Sequence, residues 1–461
     1  MGECNNFITQ YTAMTISKTS LTPFKPGSLR ELMFIAIPLI VVSLSENLMI
    51  LFDRVILSHY SLAALNASSI ASQAVEIFQY ALLAISGMSE ILVAKLYANK
   101  DKANLAIPTW QMLYLSLLTL PLIVFLSIYS GQYILPAAYL KLGLPYYNTL
   151  LFSVPLLGGI VALSGFFIGQ GKTKLVLFSS IAINIINLLL DFILIFGVRG
   201  LCPALGPKGA ALSAVIALFI QFVWLLRAFL NRSNRTQYQT HRPRFHAKYF
   251  NTCLKVGVPI ASGHAIELIG WFLIFKVVAN TNIINVTLMS LGSSLYLIFA
   301  LFNDGFYRSL CATFSYHVGA NNPQALQKTL QTGIGVFLLF MTLLAIPMLV
   351  SPNYLITLFN LKLSASGWHD SIKISLLFMW LYFLSFGFYW VISAILTAHH
   401  RTVFITLSNV SCFYLFTLAP IFILTKQSSL APDVLWPLFF LGSSISGLVC
   451  FGYFRYRLRH L

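Results

Sequence analysis

Twelve apolar runs, each long enough to cross a bilayer as a helix, recur along this 461-residue chain. About 20 apolar residues suffice to span the hydrocarbon core. Within lipid, backbone polar groups can be satisfied only by helices or closed barrels. The runs are continuous and lack the alternation of a membrane barrel, so helices are predicted. They cover roughly 32–56, 64–92, 107–128, 147–168, 175–197 and 209–230, then 252–279, 285–314, 329–350, 371–396, 403–425 and 434–454. Charged residues make up only 9% of the chain, against about 25% in soluble domains. So poorly charged a surface must face lipid. Residues 1–31 are polar and mixed, and the run from Leu32 is itself long enough to span, so no cleavable signal is expected.

The formal net charge of +17 would suit a nucleic-acid partner, but the charges sit in the wrong places for one. Arg227, Arg232, Arg235, Arg242, Arg244, Lys248 and Lys255 cluster in or beside one long polar loop, and Arg455, Arg457 and Arg459 close the chain. Lys95, Lys100, Lys102, Lys172, Lys174 and Arg401 fall in connections on that same side. This is the bias of cytoplasmic loops, so both termini and the loop are expected in the cytoplasm, with no nucleic-acid role. The six cysteines (Cys4, Cys202, Cys253, Cys311, Cys412 and Cys450) form no CxxC pair and read as small apolar residues.

A duplication organises the chain. With Pro38 set over Pro259, an offset of 221, IAIPLIVVSLSENLMILFD lies gaplessly over VGVPIASGHAIELIGWFLI, and Glu46 falls on Glu267. Further on, GQGKT at 169–173 matches AHHRT at 398–402. Both halves hold six spans and start on the same side, so the repeat is parallel. Transporters built this way bind substrate between the halves and work by rocking one against the other. The expected domains are an N-terminal tail at 1–31, a first lobe at 32–230, a basic linker at 231–251, a second lobe at 252–454 and a basic tail at 455–461.

Only 12 acids occur. Glu3, Glu31, Asp101, Asp370 and Asp433 fall in tails or loops, where a solvated role suffices. The other seven lie in or at the ends of spans, where a carboxylate costs about 2.5–3.5 kcal/mol to insert and so tends to face a cavity or a partner. Asp304 and Arg308 are spaced as a structural ion pair, and Glu90 can pair with Lys95. Glu46 and Asp53 share a face of span one. Asn184, Asn187 and Asp191 share a face of span five, placing Asp53 and Asp191 at matching depth. His264, Glu267 and Trp271 share a face of span seven, an acid beside an aromatic ring as a cation-binding wall requires. Glu76 and Tyr80 do likewise in span two. For Glu46 and Glu267 structural and functional roles fit equally, and His264 and Trp271 also suit packing. The offset sets Asp53 over Ile274, so ion chemistry is expected in the first lobe, at Asp53, Asn187 and Asp191.

No Walker A, HExxH, GxSxG or TVGYG-like sequence occurs, so neither an ATP motor, a hydrolase nor a potassium filter is encoded. The segments FDRVILSHYSLAALNASSIA, INIINLLLDFILIFG and GPKGAALSAVIA together resemble the multidrug and toxin extrusion (MATE) family, over roughly 30–455. The resemblance implies an all-α membrane protein, with twelve helices in two pseudo-symmetric six-helix bundles around a V-shaped cleft. It implies antiport of small organic, often cationic compounds against protons or sodium ions, without cofactor or catalysis, by a monomer in the bacterial inner membrane. Asp53 and Asp191 match the family's ion-site acids, with Asn187 beside them as a further oxygen ligand for sodium. Glu267 matches a second-lobe acid of one branch. Ala214 stands where the family often has threonine, with Ser213 adjacent, and Gly387 where that branch has aspartate. The competing reading is a flippase for a lipid-linked saccharide, which would favour basic cleft residues and often fourteen spans. A transport-inactive scaffold is separated from a carrier by gradient-dependent flux in liposomes. The topology has its own test: a cysteine in the linker, at position 240, is expected to escape an impermeant thiol reagent added outside intact cells, and labelling there would overturn the orientation.

Overall fold

The computed structural model describes residues 21–135, 139–198, 203–279, 281, 283–352, 368–427 and 431–458. The expectations attached to Glu3, Cys4, Cys202 and Arg459 lie outside them. Twelve helical segments among the described residues are long and apolar enough to cross a membrane. They are α1 (Leu29–Tyr60), α2 (Ala63–Ala98), α3 (Ile107–Tyr129), α4 (Leu140–Ile168), α5 (Thr173–Phe196) and α6 (Pro207–Phe229). The second set is α7 (Ala247–Val278), α8 (Ile284–Gly319), α9 (Pro323–Val350), α10 (Asp370–Ala398), α11 (Thr402–Lys426) and α12 (Leu435–Tyr456). Every predicted run lies on one of them, the largest shift being at α4, which begins at Leu140. Local breaks have local causes. Pro121 follows the interruption of α3 at Thr119, and a π-turn at Tyr414–Leu418 in α11 precedes Pro420, which has no N–H to donate.

Each set of six forms a bundle with its own apolar core, and the two cores borrow from each other. Leu32 and Ala36 of α1 pack into the core of the second bundle, while Ala312 and Tyr316 of α8 pack into that of the first. Close backbone approach makes this exchange: a Cβ on Gly305 of α8 would sit 2.5 Å from the Cα of Ile40 in α1, and one on Gly257 of α7 would sit 2.7 Å from the Cα of Ile85 in α2. Near the ends of α8 and α2, Gly319 meets the backbone of Lys95. These contacts lie in the half of the molecule that carries the linker, the linker face. Beyond Leu44, α1 is exposed on more than one side, including Glu46, Leu48, Ile50, Leu51 and Arg54, and α7 is exposed from Ala265 to Phe275 on several sides. The lobes therefore touch at the linker face and leave a cleft toward the far face.

The chain between the lobes is held rather than free. It forms a short helix at Arg232–Tyr238, and Tyr238 packs edge-on to Phe166 at 5.8 Å. Trp110 Nε1 donates to the Thr240 carbonyl at 3.0 Å, and Gln111 brackets the extended segment beyond it, donating to the Arg244 carbonyl and accepting from the His246 N–H. Thr240 is buried, so the topology reporter belongs on its exposed neighbour His241.

Three sequence expectations are corrected. Glu31 is fully buried, not solvated: it lies in the first turn of α1, accepts from the Gly27 N–H, and faces His317 Nε2 of α8 at 3.3 Å. The tail's last residues have folded back against α9, where Thr332 donates to the Gly27 carbonyl. Arg308 pairs with Glu90 at 3.6 Å, across the lobes, and not with Asp304 four residues away. Lys95 in turn donates to His400 Nε2 at 2.6 Å instead of pairing with Glu90. Burial, and then the nearby Lys95 charge, holds the His400 imidazole down at about 4, so the ring is a neutral acceptor. Cys253, Cys311, Cys412 and Cys450 are free and buried, as expected.

Gly305→Ala tests the lobe contact. The added methyl meets α1 backbone with no flexible atom to yield, so a loss of about 1–3 kcal/mol is expected, read as a lowered melting temperature in detergent. An unchanged melting curve would mean that α1 and α8 can separate here without cost.

Candidate functional site

Asp53, Asn187 and Asp191 meet between α1, α5 and α6. The spacing of four puts Asn187 and Asp191 on one face of α5, and both are fully buried. Ser213 of α6, itself fully buried, donates its hydroxyl to Asp191 Oδ1. With its amide oriented to satisfy both sides, Asn187 donates to Asp53 Oδ1 at 3.1 Å and accepts from the Ala214 N–H at 3.2 Å. Asp191 Oδ2 finds no donor among the described residues. The carboxyls of Asp53 and Asp191 lie within hydrogen-bonding reach of each other. Tyr146 of α4 neighbours both acids and joins the apolar cluster of Ile56, Leu57, Ile195 and Ala210 that walls the site.

Two carboxylates cannot both remain charged there without something between them. At about 4 Å and an effective dielectric near 20, their repulsion is about 4 kcal/mol, more than a hydroxyl donor offsets at about 1.5–3 kcal/mol. A shared proton removes the repulsion. So does a hard cation, for which carboxylate, amide and hydroxyl oxygens are the fitting ligands. Ser213 is the residue the sequence reading passed over in favour of the acids. Its signal was its place one residue before Ala214, where the matching threonine was sought.

A second cluster faces the cleft. Glu46 of α1 and Asp304 of α8 are both exposed there, with Glu76 and Tyr80 of α2 nearby; Tyr80 feels all three carboxylates. Glu76 is close to Arg54, and Arg308 is bound to Glu90. Neither Glu46 nor Asp304 has an ion-pair partner within 4 Å among the described residues. Asp304, expected to be structural, is thus part of the cleft's acidic wall.

Glu267 does not join that wall. It is turned into the second bundle, where Asn409 Nδ2 donates to it at 3.2 Å and the Trp271 indole is its other partner. Trp271 stacks on Phe439 at 4.8 Å, and His264 stacks on Trp390 at 6.1 Å. Tyr296 stands between the two groups, near both Asp304 and Glu267. In the first lobe the equivalent helices are joined by Asn184, which donates to Ser45 at 2.7 Å. Gly387 has no room for an acid, because a Cβ there would collide with the Phe337 ring.

The profile of the MatE family matches residues 38–193 and 259–423. The chain belongs to the MatE family. The two matched blocks open on Pro38 and Pro259, the residues that align the internal repeat. Among curated MatE-like relatives, a "Probable multidrug resistance protein NorM" of Photorhabdus laumondii is 26% identical over 251 residues, covering 52% of this chain and 54% of that protein. One of the same name from Agrobacterium fabrum is 32% identical over 95 residues, or 20% of each chain. The chain thus spans about half, or less, of the length of the curated relatives it matches. Solved MatE folds align over nearly the whole chain. One described as "Crystal structure of MATE in the bent conformation" has a TM-score of 0.83 at 15% identity, covering 94% of this chain and 96% of that one. Another, described as an outward-facing multidrug resistance MATE transporter of the MOP superfamily, has a TM-score of 0.81 at 16% identity, covering 96% and 99%.

Ser213→Ala removes the donor to Asp191. That hydroxyl oxygen is also a ligand that a hard cation would use, so, at about 1–3 kcal/mol for a lost buried polar contact, the stabilisation of the detergent-solubilised protein by sodium should need a roughly ten- to hundredfold higher sodium concentration. Melting temperature followed across pH and sodium concentration measures this. An unshifted midpoint would remove Ser213 from the candidate ion site.

Proposed function

We propose that this MatE-family membrane protein is a secondary antiporter that exports small organic cations in exchange for protons or sodium ions. The observation that carries this reading is the Asp53–Asp191 contact, a half-buried and a fully buried carboxyl side by side, which a proton or a hard cation would bridge. The names of the multidrug resistance relatives support the export of organic compounds. The exposed, unpaired Glu46 and Asp304 support a cationic cargo and speak against an anionic lipid-linked saccharide.

Positive charge concentrated at the linker face supports a cytoplasmic orientation of that face, in a bacterial inner membrane. The expected lobes at 32–230 and 252–454, with the linker 231–251 between, are the two bodies that would rock. One chain encloses one cleft, so a monomer would suffice. In the state described, the lobes touch at the linker face, so the cleft opens outward. Ion occupancy of Asp53, Asn187 and Asp191 favours one arrangement of the first lobe and cargo in the cleft favours the other, which yields exchange. Each charge moved down the membrane potential supplies about 2.3 kcal/mol per 100 mV.

Purified protein in liposomes with an imposed proton or sodium gradient tests the proposal. Asp191→Asn is expected to abolish gradient-driven export of a cationic dye while leaving dye binding in place. Glu46→Gln should weaken export of cations more than that of neutral compounds. Near-parental concentrative export by both Asp53→Asn and Asp191→Asn would refute the coupling site.

A further inference from the structure

Among the described residues, three contacts between charged or imidazole side chains cross between the lobes in the half nearest the linker face: Glu31 with His317, Lys95 with His400, and Glu90 with Arg308. The first two lie at the helix ends. The third lies deeper, since Glu90 is eight residues before the end of α2, or about 12 Å along the axis. Glu90 is only 4% exposed, and its sole ion-pair partner among the described residues is Arg308. Parting the lobes here would separate the pair and let water reach both groups, so this ion pair belongs to the closed arrangement alone.

Arg308 also looks the other way. It follows Asp304 by one turn of α8, and its guanidinium lies within electrostatic reach of both Asp304 and Glu46. One cation therefore serves three carboxylates, two on the cleft wall and one at the lobe closure. The first two carry no ion pair of their own, and the third exists as a pair only while the lobes touch.

We propose that Arg308 is a positioning residue that ties cleft occupancy to closure of the linker face, by dividing its charge between Glu90 and the cleft carboxylates Glu46 and Asp304. The inference rests on the cation-export reading above. In an empty cleft, Glu46 and Asp304 draw Arg308 toward themselves and weaken its hold on Glu90. A cationic solute answers those two carboxylates and repels the guanidinium, which is then left wholly to Glu90. Cargo entering from the linker face thus favours closure of that face, and its release toward the far face restores the competition. A ligand shifts a conformational equilibrium only through a difference between the states, and here the difference is the interlobe pair.

Cys253 is a native reporter of this closure, fully buried on α7 in a cluster with Met88, Ile91 and Leu92 of α2. The parent for the test keeps Cys253 and replaces the other five cysteines of the sequence by alanine. Inverted membrane vesicles present the linker face to an impermeant maleimide, with tetraphenylphosphonium as the cationic probe. The probe is expected to slow labelling of the parent. Arg308→Gln should label on the order of tenfold faster and lose the effect of the probe, whereas Arg308→Lys, which keeps the charge, should retain it. Asp304→Asn, which removes a competitor, should label more slowly than the parent without any probe. Each variant is compared only if its melting curve is parental, and the lysine variant covers the case in which glutamine does not fold. Two results would overturn the proposal: slowing by the probe that survives in Arg308→Gln, or labelling of Asp304→Asn no slower than the parent. Should the probe leave the parent unaffected while both variants shift as stated, the Arg308 device stands and the cationic-cargo reading fails.

Discussion

Polar atoms inside a bilayer have no water to fall back on, and the whole arrangement follows from that. The backbone satisfies itself by coiling into twelve helices. Some buried hydroxyls turn back onto a carbonyl of their own helix, as Ser116, Ser179 and Thr313 do. Others reach a partner on another helix, and those partnerships tie helices together: Asn184 with Ser45 for α5 and α1, Ser213 with Asp191 for α6 and α5, Asn409 with Glu267 for α11 and α7. Where the partner is another acid, as at Asp53 and Asp191, the protein's own groups do not complete the set. On the reading proposed above, an ion would complete it.

The two lobes repeat in architecture and diverge in chemistry. α1 and α7 are equivalent by sequence offset, and each crosses to the opposite lobe near the linker face, α1 against α8 and α7 against α2. Among the described residues, two acids in contact are found in the first lobe alone. In the second, the space an acid at position 387 would need is taken by the Phe337 ring, and Glu267 is already satisfied by Asn409 and Trp271. Aromatic stacking dominates there, with Phe299 on Phe383 at 5.2 Å and Phe302 on Phe340 at 3.9 Å. On the proposed reading, the first bundle would be the one that answers ion occupancy.

Cleft and closure share elements. α8 carries Asp304 on the cleft, Gly305 against α1, Arg308 on Glu90, and His317 on Glu31. A displacement of that helix relative to α1 and α2 alters all four contacts together, so the cleft cannot be remodelled without loading the interlobe contacts. Coupling of this kind needs no long pathway, because the contacts are neighbours on one rigid helix.

Length and continuity of the apolar runs were enough to place every span, since the bilayer imposes one thickness and one backbone solution on all of them. The repeat was legible because duplicated helices keep their prolines and acids in register, as Pro38 and Pro259 show. Asp53 and Asp191 stood out too, because a charge within an apolar run is conspicuous against its cost. Partner identity was not legible. Spacing along one helix suggested Asp304 with Arg308 and Glu90 with Lys95, and sequence position suggested a solvated Glu31. All three fail for the same reason: spacing reports which residues share a face, not what another helix sets against it. Only the packing of α8 against α1 and α2 decided that Arg308 answers Glu90, that Glu31 is buried beside His317, that Glu267 turns into its own bundle, and that Asp304 is left unpaired on the cleft.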